Sequence, residues 1–158
     1  MSKDLQIFLC YRQVDGSKAA KWLYEKMSGQ LIKMTDADQL EIKVYLDLAS
    51  PAISDWRALH QPTLERARAL LYVCSPGAFA KLGAKDWVHK ELDWWLTHRT
   101  TAPILIDITG EGDRWIPESI KNRWPNCQRV PLLLDEWQRQ PEEERQEIEA
   151  GVLSRILF

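Results

Sequence analysis

The chain has 158 residues, the length of one domain, and its 45% hydrophobic and 28% charged composition excludes a disordered or fibrous polymer. Twenty-one basic against 23 acidic residues give a net charge of −2, and with no block of lysine or arginine the electrostatic footprint of a nucleic-acid binder is missing. The longest uninterrupted apolar run, residues 69–74, is six residues long, far below the ~20 that cross a bilayer, so no membrane segment is expected.

Met1-Ser2-Lys3-Asp4 leads straight into residues 5–11, a mostly apolar run expected as a first strand covered on both faces rather than a secretion signal. Asp15-Gly16-Ser17 punctuates the chain. Ala20, Leu23, Tyr24, Met27 and Leu31 then recur at helical spacing, with Ser17 as the expected N-cap. Residues 42–46 read as the second strand and 47–54 as a loop holding Pro51, with Asp55 placed to cap the next element. Residues 69–74 make the third strand, stopped by the turn signal Ser75-Pro76-Gly77. Residues 86–98 form the clearest helix. A fourth strand spans 103–108, closed by Gly110-Glu111-Gly112, a fifth spans 129–134, and a final helix spans 141–157 with Pro141 near its first position.

Strands alternating with helices, each strand a nearly continuous apolar run, predict an α/β domain over residues 1–158: a flavodoxin-like five-stranded parallel sheet with helices on both faces. Ligands in such folds sit beyond the carboxyl ends of the strands. Several chemistries are excluded by what those ends lack. The seven glycines form neither the dinucleotide fingerprint nor a P-loop, and no His-Glu-x-x-His or serine elbow occurs. A phosphoryl-accepting receiver needs carboxylates at the ends of strands one and three, where this chain has Cys10-Tyr11-Arg12 and Cys74-Ser75. Cys10, Cys74 and Cys127 are odd in number and set in apolar surroundings, as in reduced core residues of a cytoplasmic protein. His60, His89 and His98 have no ligand-like company, so no metal is expected. Among the eight tryptophans, Trp22 and Trp95 suit core packing, whereas Trp94, Trp115, Trp124 and Trp137 suit either a core or a partly exposed interface.

The helix over 86–98 carries the strongest signal. At about 100° per residue, Val88, Leu92, Trp95 and Leu96 share the face that must meet the sheet. Trp87, Glu91, Trp94 and His98 fall on a stripe at its border, and Glu91 lies one turn after Trp87, carboxylate beside indole. From periodicity alone Glu91 reads as a surface glutamate pairing with Lys90 or another neighbour.

These residues also carry a resemblance. Ile7-Phe8-Leu9-Cys10-Tyr11-Arg12 with Gly16-Ser17, Tyr45-Leu46-Asp47, Ser75-Pro76-Gly77-Ala78 and Lys85-Asp86-Trp87-Val88-His89-Lys90-Glu91 resemble the motifs of a Toll/interleukin-1 receptor (TIR) domain. The likeness is greatest to the NAD-cleaving branch, which includes bacterial TIR effectors and the animal axon-degeneration NADase. It is strongest over 5–108 and weak beyond 110. The resemblance puts the catalytic role on Glu91 and sets Trp87 at the border of the nicotinamide pocket. It places Tyr11 and Arg12 on the pocket floor, and Trp56 just after the loop that follows the second strand (the "BB" loop). Asp47 and Ser75 complete the implied substrate-binding set.

The implied activity is an NAD+ glycohydrolase with NAD+ as substrate and no cofactor, giving nicotinamide and ADP-ribose or a cyclised form. Cleavage of the nicotinamide–ribose bond passes through an oxocarbenium-like centre. Nicotinamide in NAD+ is already cationic and leaves neutral, so no general acid is needed and one carboxylate suffices. The resemblance also implies a bacterial immune or antiviral effector that is silent alone and active when protomers assemble as an oligomer or filament. A sensor domain or subunit belongs to that expectation. Two alternatives stand beside it: a non-enzymatic adaptor acting through TIR–TIR association, and a nucleoside glycosyl-transferring enzyme of similar fold. Ser54 stands where the BB loop usually carries glycine, with Pro51 earlier, so a stiffer loop is expected. Pro62 falls in what would be mid-helix, so that helix is either kinked there, the favoured reading, or begins near Pro62 after a longer loop.

Overall fold

A computed structural model of the chain describes residues 3–33, 39–45, 61–80 and 87–157, with only the backbone at Lys3, Ile32, Lys33 and Trp87. The elements are β1 (Lys3–Cys10), α1 (Gln13–Met27), β2 (Leu31–Lys33), β3 (Gln39–Tyr45), α2 (Gln61–Arg66), β4 (Ala69–Cys74), α3 (Pro76–Phe79) and α4 (Trp87–His98). They continue with β5 (Ile104–Asp107), a 3-10 turn (Gly112–Trp115), α5 (Glu118–Arg123), β6 (Arg129–Pro131), α6 (Leu134–Trp137) and α7 (Glu142–Leu157). Among the described residues no helix is long and apolar enough to cross a membrane.

The strands form one sheet in the order β2-β3-β1-β4-β5-β6. From β3 to β6 neighbouring strands are parallel, the expected five-stranded α/β sheet, with β1 and β4 in register at Phe8↔Leu70 and Cys10↔Tyr72. The short β2 is a sixth strand, antiparallel to β3 at the edge. It corrects the expected first helix, which ends at Met27 rather than running through Leu31. Gly29 adopts φ +81°, and its N–H donates to the Ile42 carbonyl at 2.8 Å, so the chain turns back onto β3 at once. Leu31 continues the helical period but is 58% exposed on the edge strand.

Helix α1 also begins earlier than expected. Arg12 occupies the N-cap position with no side-chain cap, and the Ser17 hydroxyl donates back to the Gln13 carbonyl at 2.5 Å from inside the helix. Gly16 lies within α1 because a Cβ there would stand 3.3 Å from Tyr11 Cβ, so its absence lets the helix approach the strand end. The fifth strand is shorter than expected: β6 covers Arg129–Pro131, and α6 starts at Leu134. Pro62 is the second described residue of α2; residue 58, against which a kink would act, lies outside the described residues.

Alternation along the strands builds two cores. Ile7, Leu9, Tyr11, Leu71, Val73 and Ile106 face α1 and α7 and pack with Leu23, Met27, Val152 and Ile156. Phe8, Cys10, Leu70, Tyr72, Cys74 and Leu105 face the other way, onto Leu64 of α2, Val88, Leu92 and Trp95 of α4, and Ile120 of α5. Trp95 is wholly buried as expected, and Trp94, Trp115 and Trp124 are half-buried. Trp137, considered for an interface, is buried, with its ring centroid 5.7 Å from that of half-buried Trp22. Cys10 and Cys74 are buried thiols outside any disulfide, and Cys127 is a half-buried one.

Candidate functional site

In a parallel sheet each crossover helix runs antiparallel to the strands, so α4 enters at the carboxyl edge and descends toward the amino edge. The Cys10 thiol, at the end of β1, lies 3.6 Å from the Val88 carbonyl and fixes the start of α4 at that edge. Glu91 comes three residues later, ~4.5 Å further along the helix axis at 1.5 Å rise per residue. Val88, Glu91, Leu92 and Trp95 are the buried stripe of α4, and Glu91 is only 5% exposed. The helix is therefore rotated from the expected phase: Glu91 stands within the face turned to the sheet, while Leu96, expected there, is half-buried.

Beside α4 stands the one-turn helix α3, too short to persist alone, since nucleating a turn costs more than its few bonds return. Side chains from its neighbours satisfy its ends. Pro76 has no N–H to satisfy. The Gly77 N–H donates to Asp15 Oδ2 at 2.7 Å, the Ala78 N–H to Ser75 Oγ at 3.1 Å and the Phe79 N–H to the Ser75 carbonyl at 3.0 Å. Ser75 Oγ in turn donates to Asp15 Oδ1 at 2.7 Å. At the other end Arg12 donates from Nε to the Gly77 carbonyl at 3.1 Å and from Nη2 to the Ala80 carbonyl at 3.4 Å. His89 Nε2 lies 3.1 Å from the Phe79 carbonyl, the geometry of a ring N–H donating to it. Strand β1, α1, α3 and α4 are thus tied together at one point on the carboxyl edge.

The expected site residues do not all gather at that point. Glu91 is on the buried face of α4 and Arg12 at the end of β1, where it holds backbone carbonyls. Ser75 is wholly buried with its hydroxyl committed to Asp15 and Ala78, so it shapes the edge through the loop backbone. Tyr11 is 8% exposed and packs in the α1 core, on the opposite face of the sheet from Glu91. Trp87 opens α4, its side chain outside the described residues, and Asp47 and Trp56 lie outside them altogether, as do Pro51, Ser54 and His60. Asp15 is the residue that sequence reasoning missed. Its visible signal was an acid shortly after the strand end, which reads as part of an Asp-Gly-Ser turn.

Two cavities open on the same edge. One of about 400 Å3, on the α1 side, is lined by Asp15, Lys18, Ser75, Thr109, Leu132 and Asp135. Lys18 and Asp135 pair across it at 2.5 Å, which holds the Asp135 carboxyl below its ordinary range. The other, of about 330 Å3, lies on the α4 side of the sheet between β4, β5 and the 3-10 turn, lined by Cys74, Asp107, Gly112, Arg114 and Arg129. Asp107 Oδ1 accepts from the Thr109 and Gly110 N–H groups, both at 3.0 Å, and Gly110 turns the chain at φ +81°. A Cβ at Gly112 would stand 2.7 Å from Asp107 Cγ, so this turn closes only around glycine. Burial, then the neighbouring Asp107 carboxylate, pushes the Cys74 thiol far up, which leaves it protonated and a poor nucleophile. No protein-family model matches the chain, and no curated protein matches it.

Proposed function

We propose that the chain is a TIR-type NAD+ glycohydrolase in which Glu91 stabilises the ribosyl cation as nicotinamide departs. The bond from the ribose anomeric carbon to the pyridinium nitrogen breaks, its electron pair passes to the ring, and nicotinamide leaves neutral. Water then adds at the anomeric carbon and loses a proton to give ADP-ribose; attack by an adenine nitrogen gives a cyclic product instead. A carboxylate fixed beside the developing charge needs no reorganisation at the moment of reaction. Aromatic walls, with Trp87 and Trp56 as the candidates, would stack the nicotinamide and exclude water.

The observation that carries the reading is Glu91: a carboxylate 5% exposed on the sheet-facing stripe of α4, one turn from the end of β1. Carboxylates are rarely buried, because a charge taken from water costs several kcal/mol unless the fold compensates it. A further consequence supports activation by assembly with other protomers. A group so covered meets a ribose only after its surroundings open, and association is the step the resemblance supplies for that. No membrane or nucleic-acid partner enters the proposal.

The test incubates the chain and Glu91→Gln with NAD+, at high protein concentration and with a crowding agent, and follows nicotinamide by chromatography. Wild type releases nicotinamide, and Glu91→Gln is slower by at least ~10²-fold, the scale of one preorganised electrostatic group. Equal release by both proteins overturns the role of Glu91. The internal commitment of Arg12 and Ser75 favours a second reading, a docking module that recruits other TIR domains. Self-association with no nicotinamide release at any concentration is its signature.

A further inference from the structure

We infer that Asp15 is a positioning residue for Glu91, acting through α3 and His89. The inference rests on the glycohydrolase reading and extends it to a residue that never meets substrate. Asp15 sits in the first turn of α1 and bridges 60 residues to Ser75 and 62 to Gly77. With both oxygens it takes the Ser75 hydroxyl and the Gly77 N–H, so the start of α3 is referenced to α1 rather than left to its own single turn. A Cβ on Gly77 would lie 2.6 Å from Oδ1 and 2.8 Å from Oδ2, so glycine is what lets the carboxylate reach the backbone this closely.

The far end of the same short helix presents the Phe79 carbonyl to His89 Nε2 at 3.1 Å. His89 precedes Glu91 by two residues on α4, within the same helical turn. The first turn of α4 has no intrahelical acceptors for its own N–H groups and frays unless tied from outside. Three hydrogen bonds, two holding Asp15 to the start of α3 and one joining its end to His89, therefore link Asp15 to the turn that carries Glu91. A carboxylate that must meet a ribosyl cation loses its effect when displaced by even about 1 Å. Asp15 thus sets how well the transition state is stabilised, not how tightly NAD+ binds.

The experiment uses the whole chain and the variants Asp15→Asn, Asp15→Ala and Asp15→Ala/Gly77→Ala, with two readouts. In nicotinamide release, Asp15→Ala lowers kcat at least ~10-fold with KM within about twofold of wild type. Asp15→Asn keeps one acceptor oxygen and falls between the two. In amide hydrogen exchange well below the unfolding temperature, Asp15→Ala speeds exchange at Glu91 and Leu92 at least ~10-fold while β5 and α7 stay protected. The double variant, whose methyl meets no carboxylate, loses little stability beyond Asp15→Ala and does not recover kcat. A kcat that falls only with the folded fraction, or a KM that rises in its place, overturns the inference. Should wild type release no nicotinamide, the glycohydrolase reading falls, and exchange at Glu91 and Leu92 judges the linkage: faster exchange in Asp15→Ala upholds it and unchanged exchange overturns it.

Discussion

Gly77 shows how one absent methyl sets local geometry. An added Cβ would stand between 2.6 and 2.9 Å from three atoms of the Asp15 carboxylate, closer than any real Cβ contact. Asp is too short to yield without releasing Ser75 Oγ or the Gly77 N–H, so Gly77→Ala costs a hydrogen bond to a charged acceptor, about 1.5–3 kcal/mol. The loss is coupled: in an Asp15→Ala background the same methyl meets no carboxylate, and the double variant is less destabilised than the sum of the singles. Urea unfolding of the four proteins measures that coupling, and strict additivity would show the contact to be inconsequential. Glu91 was singled out by the resemblance carried by the run Trp87-Val88-His89-Lys90-Glu91, while periodicity alone read it as a surface residue and did not show its burial. Asp15 was not singled out, because its partners lie 60 and 62 residues away and nothing local distinguishes it from a turn aspartate.

Among the elements, α4 and β4 were readable because each carries its own period or run. The helix is a twelve-residue amphipathic segment, and β4 has five of six residues buried. The phase of α4 was readable only approximately, since a hydrophobic stripe about 100° wide does not say which border residue is drawn under. Two of the shortest elements, β2 and α3, escaped notice. β2 exists through its pairing of Leu31 with Glu41 and Ile32 with Leu40, and α3, capped locally by Ser75 with Pro76 behind it, is held by Asp15 and Arg12, tertiary causes that the Ser75-Pro76-Gly77 turn signal does not show. The buried stripe of α4 gives a test of scale. Trp95 is wholly buried and donates from Nε1 to the Thr101 carbonyl at 2.7 Å, so Trp95→Ala leaves a large void and an unsatisfied acceptor, about 3–5 kcal/mol. Trp94, half-buried and stacked on His98 with centroids 4.5 Å apart, forfeits about 0.5–1.5 kcal/mol of ring pairing when truncated, beyond the smaller area it buries, and so less in total than Trp95. Denaturant midpoints should separate the two variants clearly; similar losses would mean that α4 is turned differently on the sheet.

For the whole molecule, the division of the sheet into two cores governs how stability responds to alkali. β4 lies between β1 and β5, and its Tyr72 and Cys74 both point into the α4-side core, 0% and 1% exposed. Burial pushes both groups far up from ordinary values of 10.0 for the phenol and 9.0 for the thiol, and Tyr72 donates its proton to the Trp115 carbonyl at 2.7 Å. The half-buried Cys127 thiol is raised in the same direction by its burial. The folded chain therefore keeps these protons where the unfolded chain releases them. Stability falls with rising pH wherever the unfolded state binds fewer protons, so the stabilisation is whole below about pH 9 and declines above it, first through the thiols and then through the phenol. Guanidinium unfolding midpoints measured from pH 7 to 11 should stay level to about pH 9 and then drop. Cys74→Ala should flatten the first part of the decline, and Tyr72→Phe, less stable at neutral pH by the lost hydrogen bond, should flatten the later part. A wild-type curve that stays level through pH 11 would mean that alkali reaches these side chains in the native state, and that the core between β4 and α4 is open to water.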